Sequence, residues 1–108
     1  MSSKQSFIDG FAPYILAEAI STFGAESQLN VAIEEMSELT KELCKYKRGL
    51  GNAEAIAEEL ADVRIMLDQI EMLFPEIPRM VRRQRRRKLE RLYYEVQKVR
   101  AEQCRSSE

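Results

Sequence analysis

Apolar residues recur along the chain at helical rather than strand intervals. Phe11, Ile15, Ala19 and Phe23 stand four apart, with Pro13 suited to a first helical turn and Gly24 to a stop. A second stripe runs through Leu29, Ile33, Met36, Leu39/Thr40 and Leu43, behind a start at which Ser27 is the cap or Glu26 already lies inside the helix. A third has the cleanest period: Ile56, Leu60, Val63, Leu67, Ile70 and Phe74 alternate by four and three, as in a bundle seam. Asn52 is its N-cap candidate and Pro75 its end. Pro78 then opens a fourth helix, in which a basic run at 82–88 gives way to Leu89, Leu92, Val96 and Val99. No strand alternation or internal repeat interrupts this order. The pattern predicts an all-α fold, an antiparallel bundle of about four helices in one domain spanning 1–108, with 1–10 and 101–108 as loose tails.

The polar positions add a second pattern. Residues 48–52, Arg-Gly-Leu-Gly-Asn, are too few for anything but a tight reversal, so the second and third helices are expected side by side and antiparallel. Folding the chain at Arg48/Gly49 sets Glu35 and Glu38 at the same height as Glu59 and Asp62. Carboxylates three apart on a helix have Cβ atoms roughly 5–6 Å apart, and four at one level form a cage for a hard cation. Either pair alone is ordinary on a solvated helix face. The second pair at matched height, beside the apolar stripes, makes the arrangement informative, because four clustered acids otherwise repel and resist desolvation. Gln28 shares the column of Glu35.

Composition narrows the chemistry. The chain has no histidine, which removes the usual general base and argues against zinc, leaving carboxylates as metal ligands and bases. Cys44 and Cys104 have no metal spacing and fit a reduced, cytoplasmic setting better than a disulfide framework. The start does not read as a signal peptide, and no apolar run approaches membrane-spanning length, so no membrane partner is expected. The net charge of −1 conceals an asymmetry: residues 1–78 carry six Lys/Arg against fourteen Asp/Glu, and residues 79–108 carry eleven against four. An acidic body with a basic end calls for a partner at that end or an anionic ligand between the two.

The residues Glu34-Glu35-x-x-Glu38 followed by Glu59-Leu60-Ala61-Asp62 resemble the EExxE…ExxD signature of the MazG-like nucleotide pyrophosphohydrolases, within the all-α NTP pyrophosphatase superfamily. The resemblance runs from about Phe23 to Leu92. It implies a helical bundle complete only as a homodimer or homotetramer, and hydrolysis of a nucleoside triphosphate to monophosphate and pyrophosphate with Mg²⁺, or Mn²⁺ in its place. By matched position Glu35, Glu38, Glu59 and Asp62 would be the metal ligands. Glu34, matching the first acid of the signature, would orient the attacking water or sit behind the metal ligands, and Glu38 would share in the catalysis. Lys88 and Arg91 resemble a Lys-x-x-Arg that follows the acidic motif in relatives and, with Lys45, would hold substrate phosphates. The arginine run at 82–87 is heavier than the family pattern. It supports a rival expectation, a non-enzymatic helical module that binds nucleic acid or a protein partner through 79–91; no aromatic interleaves the run, so stacking on single strands is poorly supported.

Overall fold

The computed structural model describes residues 8–107, and no strand occurs among them. Most of the expected N-terminal tail, residues 1–7, lies outside the described residues, as does Glu108; residues 8–10 are already helical. The chain divides into two compact units, Met1–Phe74 and Pro75–Glu108. The first contains α1 (Ala12–Phe23), α2 (Ala25–Lys47) and α3 (Ala53–Leu73), packed as a bundle in which α1 touches both α2 and α3. The second contains α4 (Ile77–Ser106), which continues further than the expected fraying near residue 101. Among the described residues no helix is long and apolar enough to cross a membrane.

Local chemistry sets the boundaries in the first unit. Gly24, at φ 90°, separates α1 from α2 alone: its N–H donates to Ile20 O at 2.9 Å, and its own carbonyl accepts from Gln28 N at 3.1 Å. Glycine takes this positive φ without a Cβ clash, so one residue serves as the end of one helix and the cap of the next. Ser27 therefore lies inside α2 rather than capping it. At the far end of α2, Gly49 (φ 75°) donates to Tyr46 O at 3.0 Å, and Leu50 N donates to Lys45 O at 2.9 Å. These are the two bonds of a Schellman stop. Gly51 is required for another reason: a Cβ there would stand 3.0 Å from Tyr46 N, against backbone that cannot give way. Asn52 then caps α3, its side chain accepting from Ala55 N at 2.8 Å.

The face that α2 turns to α3 is not its most apolar one. Gln28 and Ala32 are buried and Glu35, Leu39 and Glu42 half-buried, a column spaced by four and three. On α3 the corresponding column is Ile56, Glu59, Val63, Met66, Ile70 and Leu73, with Gln69 buried beside it. The stripes expected as seams lie one residue C-terminal of these positions and are largely uncovered. Ile33, Met36 and Leu43 are 60%, 41% and 46% exposed, and Leu60, Leu67 and Phe74 are 37%, 47% and 38% exposed. The expected seam on α3 is thus corrected: Ile56, Val63 and Ile70 belong to it, whereas its other three members stand outside. Both columns carry the same spacing, and an apolar count selects the neighbouring one because glutamates and glutamine occupy the true contact line.

Because α2 and α3 run antiparallel, positions one step after the seam on each helix fall on the same side of the pair. Leu29, Ile33, Met36 and Leu43 join Leu60, Leu67 and Phe74 in a single apolar flank. Positions one step before the seam, Glu34 and Glu38 on α2 and Glu58 and Asp62 on α3, form an exposed acidic flank on the other side.

Gln69 is 3% exposed, and its Oε1 has no hydrogen-bond partner among the described residues. A buried amide oxygen without a donor costs about 1–3 kcal/mol. Replacement by the similarly sized methionine, Gln69→Met, is therefore expected to raise the free energy of unfolding by about that amount in urea denaturation, with the same helical circular dichroism.

Candidate metal centre

Three side chains from two helices converge at the middle of the α2/α3 seam. One carboxylate oxygen each from Glu35, Glu59 and Asp62 lies within 4.8 Å of the other two. Glu35 reaches this point from α2, one turn below Leu39, while Glu59 precedes Val63 by one turn on α3 and Asp62 stands beside Val63 on the acidic flank. The turn at 48–52 produces the meeting, since it fixes which residues of α2 and α3 share a height.

The electrostatics match the crowding. Glu35 is held above the ordinary glutamate range first by desolvation, then by the charge of Asp62 and a side-chain hydrogen bond with it, and further by Glu59 and Glu38. Glu59 is raised first by desolvation and then by the charges of Asp62, Glu38, Glu42 and Glu58. Among the described residues no lysine or arginine pairs with Glu35, Glu38, Glu59 or Asp62; the ion pairs are Lys45–Glu42 at 3.3 Å and the exposed Arg86–Glu90 at 3.8 Å.

Of the four expected ligands, then, Glu35, Glu59 and Asp62 come together. Glu38 stands outside that set, exposed on the acidic flank, close enough for its charge to raise both glutamates. Glu34 is exposed on the same flank. Lys45 is engaged by Glu42 on its own helix, and Lys88 and Arg91 are exposed residues of α4, in the second unit. Two glutamines extend the polar seam: Gln28 lies seven residues before Glu35 and Gln69 seven after Asp62, so each sits two turns away along the helix. The heptad interval is the signal in the sequence for both.

The donor set suits a hard divalent ion. Oxygens on opposite sides of an Mg²⁺ ion stand roughly 4.2 Å apart, twice its 2.0–2.1 Å ligand distance. Three oxygens within 4.8 Å of one another need only small rotamer adjustments to share an ion. The chain matches no protein-family model, no curated protein and no solved structure.

The raised Glu35 value gives a pH signature. A carboxyl that binds its proton more readily when folded than when unfolded stabilises the fold at low pH, and that stability is lost as pH rises through the folded value. Glu35→Gln removes the charge and keeps the shape. Without divalent ions the variant is expected to match the parent in acid and to gain a higher melting temperature as pH rises to neutrality. Parallel melting curves across pH would show the opposite.

Proposed function

We propose that the chain is a Mg²⁺-dependent nucleoside triphosphate pyrophosphohydrolase of the MazG-like kind, acting on NTPs or dNTPs as a homodimer or homotetramer. One observation carries the reading: carboxylates from two helices meet in a half-buried seam, with raised proton affinity, and among the described residues no lysine or arginine pairs with them. A fold gains nothing from such a cluster by itself, since apolar residues at Glu35 and Glu59 would pack the seam at lower cost.

Glu35, Glu59 and Asp62 would hold the ion, and Glu38 would join them by a change of rotamer on the adjoining flank. Mg²⁺ bound there would neutralise phosphate charge and acidify a nearby water. The residues supply the rest. Glu38, or Glu34 beside it on the exposed flank, takes a proton from the attacking water. The water oxygen forms its bond to the α-phosphorus, the bond from that phosphorus to the bridging oxygen breaks, and pyrophosphate leaves with the monophosphate behind. Lys45, when it leaves Glu42, supplies complementary charge for the phosphates. The absence of histidine makes carboxylate general base chemistry the natural choice for this chain.

The rival reading, a helical module that binds nucleic acid through 79–91, draws on the exposed arginines of α4. One assay separates the two. Incubation with a panel of NTPs and dNTPs plus Mg²⁺ is expected to release pyrophosphate, and EDTA to stop it. Glu59→Gln and Glu38→Gln should each lower turnover by at least about a hundredfold with helicity unchanged. Full activity in either variant removes that residue from the site, and a protein that releases no pyrophosphate from any of the panel overturns the hydrolase reading.

A further inference from the structure

The arginines at 82–87 play no part in the hydrolysis. Residues 79–91 of α4 hold seven arginines and one lysine against a single acid, Glu90, and the whole segment is exposed. This crowding is unfavourable for the helix itself. Arg79/Arg83, Arg82/Arg86, Arg83/Arg87 and Arg87/Arg91 are like-charged pairs one turn apart, and such pairs weaken a helix. The run also fills the first half of α4, whose first turn holds no acid, so its charge adds to the positive end of the helix dipole. Among the described residues it makes one ion pair, the exposed Arg86–Glu90 contact at 3.8 Å. A dense anion laid along the segment would relieve the repulsion. The unit Met1–Phe74, with six Lys/Arg against thirteen Asp/Glu, repels any such ligand, which confines the attraction to α4.

The placing of the cations selects among anions. With about 100° of turn per residue, the run reaches every side of the helix. Arg79, Arg83 and Arg87 fall on the face away from Val81 and Leu92, with Arg82 and Arg91 on the two sides between. Arg85 and Lys88 line one surface with Met80, Val81, Leu89 and Leu92. An anionic membrane takes a helix whose cations keep to one face and whose apolar face is free of charge; Arg85 and Lys88 break that face. A single strand stacks its bases on interleaved aromatics, and the run has none before Tyr93. An acidic protein surface meets one side of a helix. The major groove of duplex DNA meets several at once: it is about 12 Å wide, admits a helix about 10–12 Å across, and runs between two phosphate backbones. The major groove of duplex RNA is too deep and narrow for this. The bias to arginine agrees, because its planar fork grips phosphate or guanine through two hydrogen bonds.

We infer that residues 79–91 form a docking segment for duplex DNA, lying in the major groove with arginines on the phosphates of both walls. The segment is about 20 Å long at about 1.5 Å per residue, enough to follow the groove past several phosphates on each strand. This is a second function beside the carboxylate centre, and it does not rest on that centre.

The test uses the full chain with a fluorescently labelled duplex of about 20 base pairs, long enough for the segment to lie along it. Anisotropy is read in EDTA. The parent is expected to bind, with log affinity falling against log salt at a slope of about −4 or steeper. No binding, or a shallower slope, overturns the inference. Arg82→Gln with Arg86→Gln and Arg87→Gln is expected to reduce the slope by about two units or more. Lys98→Gln with Arg100→Gln and Arg105→Gln removes as much charge outside the segment and is expected to change the slope by less than about one. A smaller effect of the first triple, or an equal effect of the second, overturns the inference, since net charge then accounts for binding. Circular dichroism checks the helicity of both; should either lose it, competition on the parent decides. At equal phosphate concentration, unlabelled duplex DNA is expected to displace the label at least about tenfold better than duplex RNA, the single strand or phosphatidylserine vesicles. Any competitor that comes closer than that overturns the groove docking and assigns the segment to that ligand. Pyrophosphate release is scored separately, so failure of the docking and failure of the hydrolase reading are told apart.

Discussion

The contact line between α2 and α3 governs this structure, and it is occupied by groups that repel. Glu35 and Glu59 face across it with Asp62 at its edge, all within reach of one small ion. Like charges at that separation, partly withdrawn from water, oppose the packing that brings them together. The helices stay paired because the rest of the line is favourable: Ala32, Val63 and Met66 are buried along it. The strain of the acids is therefore local, carried by well-packed turns on either side.

This arrangement explains which parts of the fold could be read from the chain and which could not. Helix order, the punctuation at Pro13, Gly24, Gly49, Asn52 and Pro78, and the shared height of the acids all follow from local rules and chain geometry. The facing sides did not. In α2 and α3 the four–three spacing appears in two adjacent columns, and the column richer in leucine looks like the seam. Leu60, Leu67 and Phe74 won that comparison on hydrophobicity, whereas Glu59, Met66 and Gln69 hold the buried positions. A rotation of one residue was enough to put Glu59 in the contact line rather than beside it. For the site itself, the sequence placed four carboxylates at one level, and three of them meet; the position of Glu38 depends on a rotamer and flank that spacing does not specify.

The same rotation separates the two flanks of the helix pair by chemistry. One is acidic, through Glu34, Glu38, Glu58 and Asp62, and the other apolar. Charge crowding therefore falls on one edge of the pair, and the apolar residues of the other flank stand apart from it.

The five residues between α2 and α3 act as a phase lock. The Schellman bonds at Gly49 and Leu50 and the cap at Asn52 leave little slack. Adding one amino acid there would advance every later α3 side chain by about 1.5 Å and about 100° relative to α2. The carboxylates would lose their alignment while each helix kept its own hydrogen bonds. A loop with no side chain in the centre thus holds the timing of the whole cluster, and drift in its length is the simplest way for such a chain to keep its helices and scatter its acids.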